Sequence, residues 1–493
     1  MDIKTFEDYY LEPISISSEN REKPLPQIFK DVAELRISPD EQINDTRKKY
    51  TFTNKNLDII TIPHDAYLYI TAEHKMSSGT VAKMKTLNTI SIPSTAGLID
   101  SYDYMINDTT ICTQNNNLAT TLYAVNNGLY ASSSKYLEHI GLSNPDVGPI
   151  NLQSKKYNTQ YAEWIIPLKL FIPFLKDNKI LWGVKQTLKI TKADISNVLY
   201  EYDWKVAIPA SFAVNIKNIE LRMPYVKLEN EKQKELWGSM YSKTVDRYWL
   251  DVDQFWSDEK DNSKVLTNET FKVATKGLNS KPRYILLHAV EGTGNNLDKN
   301  KPMGFGNNDL DTYDDMDNTI RFKKLRVKLN GIYIDNGDVM EFYCVDAQNK
   351  EKPADAVVPD PAAGTGTVPA NATLPDPVRS DVAYSPWRKY RDFFGAYDDY
   401  CKFFGQYYSK RDSVKSFADW LDEQLFVFDL TNIDGEQIFQ NSGNALIIEI
   451  EYSTYKGVST AATNKTFKLV ANVLYDKQLS IMHSENKAVL TLT

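Results

Sequence analysis

Cysteine is scarce: Cys112, Cys344 and Cys401 are the only three in 493 residues. They are far apart and odd in number, which excludes a disulfide-stapled scaffold and points to free interior thiols made in a reducing compartment. Grouped basic charge is also missing. With a net charge of −8 and a pI near 5.4, the chain is not expected to coat or read nucleic acid directly, since phosphate neutralisation needs clustered Lys and Arg. No apolar run is long enough and unbroken enough to cross a bilayer. The first residues, MDIKTFEDYYLEP, have neither a basic nor an apolar stretch, so no secretion signal is expected and the chain is expected to stay inside the cell that makes it.

Catalytic and metal-binding patterns are missing too. His64, His74, His139, His288 and His483 never fall at metal-ligand spacings, and no CxxC, HExxH, GxSxG or Walker pattern occurs. GTGNN at Gly292 lacks the lysine and following helix of a phosphate loop. Asp311, Asp314, Asp315 and Asp317 lack the order and terminal Glu of a calcium loop, so they read as solvated loop acid. The expected site residues are therefore none, whether catalytic, cofactor-binding or metal-ligating. Sequon matches at Asn44, Asn107, Asn268, Asn371 and Asn464 read as Asn/Thr turns.

Aromatic residues, by contrast, are abundant, with 30 Tyr, 20 Phe and 8 Trp. They favour strands and buried contact surfaces. A chain of this length fits two or three domains. The most informative stretch is WIIPLKLFIPFLKDNKILWGVKQTLKI, from Trp164 to Ile190. Pro167 and Pro173 argue against a helix, and Lys176-Asp177-Asn178-Lys179 is turn chemistry. The stretch reads as two buried strands with a tight connection, which need a second sheet over them and so imply a β-sandwich.

Around that stretch, residues 1–45 are polar and read as an N-terminal arm, with a short helix at Ile28 to Leu35. Strand patterns follow in LDIITIPHDAYLYITAEHK and NTISIPS, and TTLYAV and GLYAS flank Asn126-Asn127-Gly128 as a hairpin. Another strand runs from Val214 to Leu228. The charge run ENEKQKEL, residues 229–236, marks a boundary between two β domains, at 46–228 and 229–493. The second half brings TFKVATKG, the core strand KPRYILLHAVEG, a long loop over 293–319, and RFKKLRVKLNGIYI with a turn at Asn330-Gly331. The proline-rich stretch 353–386 reads as an exposed loop. A helix over 387–408 carries Trp387, Tyr390, Phe394, Tyr397, Cys401, Phe404 and Tyr408 on one face, expected to dock on a sheet. Three strands end the chain, at QLFVFDL, NALIIEIEY and FKLVANVLYDKQLSI, with turns at Asp434-Gly435 and Ser442 to Asn444.

The order of these blocks, from Trp164 to Ile481, resembles the double jelly-roll major capsid proteins of Polinton-like, adintovirus-like and virophage-like double-stranded DNA viruses. The Pro/Ala/Gly loop departs from that pattern, and residues 1–150 match only in strand style. The resemblance implies an all-β chain of two tandem eight-stranded jelly rolls with a few helices in loops. It further implies a virion protein without enzymatic activity or cofactor, made in the host cell. Its partners would be itself, as homotrimeric pseudo-hexameric capsomers in an icosahedral shell, and penton and minor capsid proteins. The alternative from the residues is a tandem β-sandwich carbohydrate-binding, lectin-like protein using Tyr and Trp to stack sugars; a β-sandwich glycosidase stands third.

Overall fold

The computed structural model describes residues 32–44, 47–76, 90–92, 98–115, 118–125, 150–151, 161–176, 180–193, 200–201, 212–226, 244–261, 266–276, 282–293, 296–297, 322–334, 340–341, 393–407, 425–431, 445–454, 466–484 and 487–492, with single residues 234, 238 and 420. In the first half the main strands are β1 (Val32–Ile37), β2 (Lys49–Asn54), β3 (Tyr67–Met76), β4 (Ile99–Ile106), β5 (Thr109–Gln114), β6 (Tyr161–Pro167), β7 (Gln186–Lys192) and β8 (Phe212–Val226). The second half has β9 (Thr244–Trp256), β10 (Leu266–Lys276), β11 (Pro282–Thr293), β12 (Phe322–Leu329), β13 (Ile332–Tyr333), β14 (Phe426–Asp429), β15 (Ala445–Thr454) and β16 (Thr466–Ser484).

Two main antiparallel sheets form in each half, and the first half adds a small one in which Ile90–Ile92 pairs with Ile150–Asn151 and Tyr200–Glu201. The first half pairs β1-β8-β3-β6 and β2-β7-β4-β5; the second pairs β9-β16-β11-β14 and β10-β15-β12-β13. Adding eight to each number of the first pair of sheets reproduces the second. Every partner in these sheets is antiparallel, and strands distant in sequence lie side by side, which is the Greek-key wrapping of a jelly roll. Alternation builds the sandwich from within. Leu68, Ile70 and Ala72 of β3 face Tyr50 and Phe52 of β2 and Tyr102, Tyr104 and Ile106 of β4 across the first core. A bulge between Ile216 and Asn218 shifts the period of β8 by one residue, so Ile219, Leu221 and Met223 still point inward.

Four readings of the sequence need correction. TTLYAV is not a strand: Leu118–Val125 is a helix, α1. Extended back to Leu118, the segment has Leu118, Leu122 and Val125 at helical spacing, and burial on both sides of it outweighs the strand preference of Thr, Tyr and Val. Within the stretch read as arm and helix, Val32–Ile37 is β1, paired residue by residue with β8 from Val32 opposite Val226 to Ile37 opposite Leu221. Ladder bonding here overrides the helix propensity of Ala, Glu, Leu and Arg. The strand from Trp164 ends at Pro167 and is followed by two 3-10 turns, Leu168–Leu170 and Pro173–Lys176. The apolar residues of those turns are buried, with Leu168, Ile172 and Leu175 inside the first core, while Lys169 reaches toward solvent. The chain then pairs Leu181–Trp182 with Ile60–Thr61 before β7 begins at Gln186.

The fourth correction concerns the aromatic helix, α2, which spans Phe393–Tyr407. Among its described side chains the fully buried ones are Ala396, Tyr400, Phe403 and Phe404, while Tyr397 and Cys401 are half-buried. The predicted stripe is thus one edge of the docked face. Tyr284 on β11 and Phe403 meet edge-on at 4.8 Å, and Trp420 bridges Tyr397 (5.7 Å) to Phe426 of β14 (5.9 Å). A further strand, β17 (Lys487–Leu492), pairs with the end of β16 and has no counterpart in the sequence reading. Outside the described residues lie the Asn126 hairpin, most of the 229–236 charge run, nearly all of 293–319, the 353–386 loop, the Asp434 and Ser442 turns, His139 and Cys344. Within 293–319, Asn296–Leu297 turns back onto Gly292–Thr293.

Candidate functional site

The side chains fall into two cores, and two strands belong to both. Along one face of β16, Leu469, Ala471 and Val473 enter the second core, while Leu479 and Ile481 enter the first. On β9, Trp249 lies in the first core, and Phe255 packs against the second. Between these apolar ends the same two strands carry Asp251, Asp253, Tyr475 and Lys477. They form a polar band at the junction of the rolls.

First-roll elements close over the band. Cys112 on β5 is fully buried, and its thiol hydrogen-bonds the Asp251 carboxyl. Phe174 of the second 3-10 turn meets Trp249 edge-on at 5.1 Å, and the buried Arg247 donates from Nη2 to the Ile180 carbonyl at 2.9 Å. Lys477 Nζ lies 2.5 Å from Asp251 Oδ2. Burial pushes the Asp251 carboxyl above the ordinary range, with Lys477 offsetting part of that; Asp253 is also pushed up by burial. Burial likewise raises the Cys112 and Tyr102 groups, so both stay protonated. None of this band was singled out by sequence reasoning, because Asp251, Asp253, Tyr475 and Lys477 come from two strands distant in sequence and each local stretch looks like a polar strand end.

The histidines take structural places. His64 Nδ1 donates to the Leu175 carbonyl at 3.1 Å, which leaves Nε2 to accept from Lys169 Nζ, also at 3.1 Å. Burial first, and then Lys169, hold it below the usual histidine range. His288 is fully buried on β11, and burial lowers it to about 3. Among the described residues no three His, Cys, Asp or Glu side chains are grouped to hold a metal. Asn44, Asn107 and Asn268 sit in turns or bulges: Asn44 Oδ1 accepts from the Arg47 N–H, and Asn107 and Asn268 have φ of 46° and 54°.

The outer walls are polar ladders. On the first roll, Arg222 lies over Tyr69 at 3.9 Å and bonds Glu220 at 3.2 Å, and Tyr67 donates to Glu34 at 2.6 Å. On the second, Lys272 pairs with Glu449 at 2.7 Å, Lys328 with Glu451, and Arg326 covers Tyr333 at 3.6 Å. Single large apolar side chains stand exposed among them, Ile165 on β6 and Ile447 on β15, with Tyr248, Met482 and Val489 on the β9-β16-β17 extension.

No family model and no curated protein matches the sequence. Solved structures do resemble the fold. The PBCV-1 virus capsid matches with a TM-score of 0.50 at 11% identity, over 94% of this chain and 96% of that one. The mavirus major capsid protein aligns over 98% and 96% at 11% identity, with a TM-score of 0.46. The Sputnik virophage aligns over 98% and 92% at 8% identity, with a TM-score of 0.47. At such identities the likeness is one of fold. The repeated strand order and the match to the PBCV-1 capsid along nearly the whole of both chains show that this is an all-β, double jelly-roll chain.

Proposed function

We propose that the chain is a major capsid protein, the shell subunit of a double-stranded DNA virus, located in the virion and without enzymatic activity. The observation that carries this reading is the doubled strand order in one chain, joined to a fold likeness that spans 94% of it and 96% of the PBCV-1 capsid chain. Two similar wedges per subunit let three copies fill a site with six neighbours. The boundary between wedges lies at residues 228–229, in the stretch between Val226 and Thr244. Contact between unlike walls of successive copies is heterologous and closes into a ring, so a homotrimer follows. The laddered walls, with Ile165 and Ile447 exposed in them, are surfaces for such contacts. Capsomer neighbours, penton and minor capsid proteins are the further partners of this reading. A sugar-stacking role finds no support in Trp182, Trp249 and Trp420, which are buried.

Light scattering coupled to size exclusion tests the proposal. The expected species has roughly three times the 56.3 kDa chain mass and survives moderate salt, since an obligate interface of ~2,000 to 5,000 Å² holds mainly by apolar contact. Negative-stain images should show six-lobed capsomers. A monomer at every micromolar concentration would sink the reading.

A further inference from the structure

The polar band places an amine and a carboxyl in reacting distance inside a β-sandwich. Lys477 and Asp251 come from neighbouring strands, displaced by one residue pair, since Asp251 lies opposite Tyr475 and Lys477 opposite Trp249. Asp251 is 3% exposed, and Trp249, Tyr475, Tyr102 and Phe174 are all buried around the junction. A second carboxyl, Asp253, stands two residues along the same face and hydrogen-bonds Tyr475. The Cys112 S–H bonds the Asp251 carboxyl from the first roll.

We propose that Lys477 and Asp251 condense to an intramolecular amide, an isopeptide cross-link that joins β9 to β16 where the two rolls meet. The pair rests as ions: burial pulls the Lys477 amine down, and the Asp251 charge and hydrogen bond, together with Cys112 and Asp253, bring it above its ordinary range. The proton passes from the ammonium to the carboxylate across the 2.5 Å contact, giving a neutral amine and a neutral acid, the forms that burial favours. The Lys477 nitrogen then attacks Asp251 Cγ and the new C–N bond forms. Asp253 takes the second amine proton and returns it to the departing hydroxyl, the C–O bond breaks, and one water leaves. Atoms balance without oxidant or reductant.

Two physical terms favour the step here. Fixed neighbouring strands hold the reacting groups at a high effective concentration. The product replaces two poorly solvated charges with one amide dipole, which removes the desolvation cost of a buried ion pair. Contact distance alone does not suffice, and the chain holds its own control. Lys402 and Asp398 are also 2.5 Å apart, but each is 62% exposed on one helix, so that pair stays hydrated and condensation would remove no desolvation cost.

The test is the intact mass of the purified full-length protein, which does not depend on whether it assembles. The expected chain is lighter than its sequence by one molecule of water, and a protease digest keeps the peptides holding 251 and 477 joined. Lys477→Arg should restore the full sequence mass. Asp253→Asn, checked for folding by circular dichroism, should also stay at full mass. Wild-type protein at full sequence mass overturns the proposal. So does a water loss that persists in Lys477→Arg, which would place the dehydration elsewhere.

Discussion

At the scale of single residues, burial decides what each polar group does. His288 is the sharpest case, because its ring is fully buried and its folded pKa is lowered to about 3. The unfolded chain takes up a proton near the ordinary histidine value, and the folded chain does not. Stability from this residue is therefore complete above pH ~6.5 and is lost as pH falls toward 3, up to about 4–5 kcal/mol. His288→Phe should flatten that part of a denaturant-midpoint profile between pH 7 and 4. A profile as steep as wild type would show that other groups carry the acid response. Trp420 is a second case, enclosed by Tyr397, Tyr400 and Phe426 and donating Nε1 to the Leu425 carbonyl at 2.9 Å. Trp420→Ala should cost ~3–5 kcal/mol, read from the urea midpoint.

At the scale of elements, the turn at Asn330-Gly331 was legible in the sequence along with its flanking strands. Asn330-Gly331 joins β12 to β13 with φ of 49° and 83°, the left-handed values a two-residue hairpin turn requires. A Cβ added at Gly331 would meet nothing within 4 Å. Gly331→Ala should thus cost only the backbone term, about 1 kcal/mol, with the loss seen as a small drop in melting temperature and an unchanged m-value. A loss several times larger would mean the turn is packed against something. The helices show the opposite situation. The α2 stripe was found because aromatic spacing is periodic in one dimension, yet its central buried residues, Tyr400 and Phe403, depend on where Tyr284 and Trp420 lie.

At the scale of the whole molecule, β9 and β16 run through both cores, paired from Thr244 opposite Met482 to Trp256 opposite Val470. Unfolding either roll strips a sheet edge and core residues from the other. Calorimetry should therefore show one cooperative transition, and a fragment of residues 1–228 should stay poorly folded, because Trp249, Leu479 and Ile481 complete its core. Two well-separated transitions, or a fragment with native near-ultraviolet dichroism, would contradict this coupling.

The sequence by itself determined most of the strand content, the turn at Asn330 and a scale of two or three domains. Those follow from period-two burial, left-handed turn residues and chain length, all of which are local or additive. Val214 to Leu228 and Lys281 to Gly292 were readable for that reason. Tertiary structure decided what those local signals leave open: that Val32–Ile37 becomes an edge strand on β8, that TTLYAV coils into a helix between two cores, and that the apolar run after Pro167 turns instead of extending. It also decided the polar band, since Asp251 and Lys477 are 226 positions apart (477 − 251) and meet only through strand pairing. Pairing across such a separation is fixed by which faces bury each other, and that is a property of the folded chain, not of any window of it.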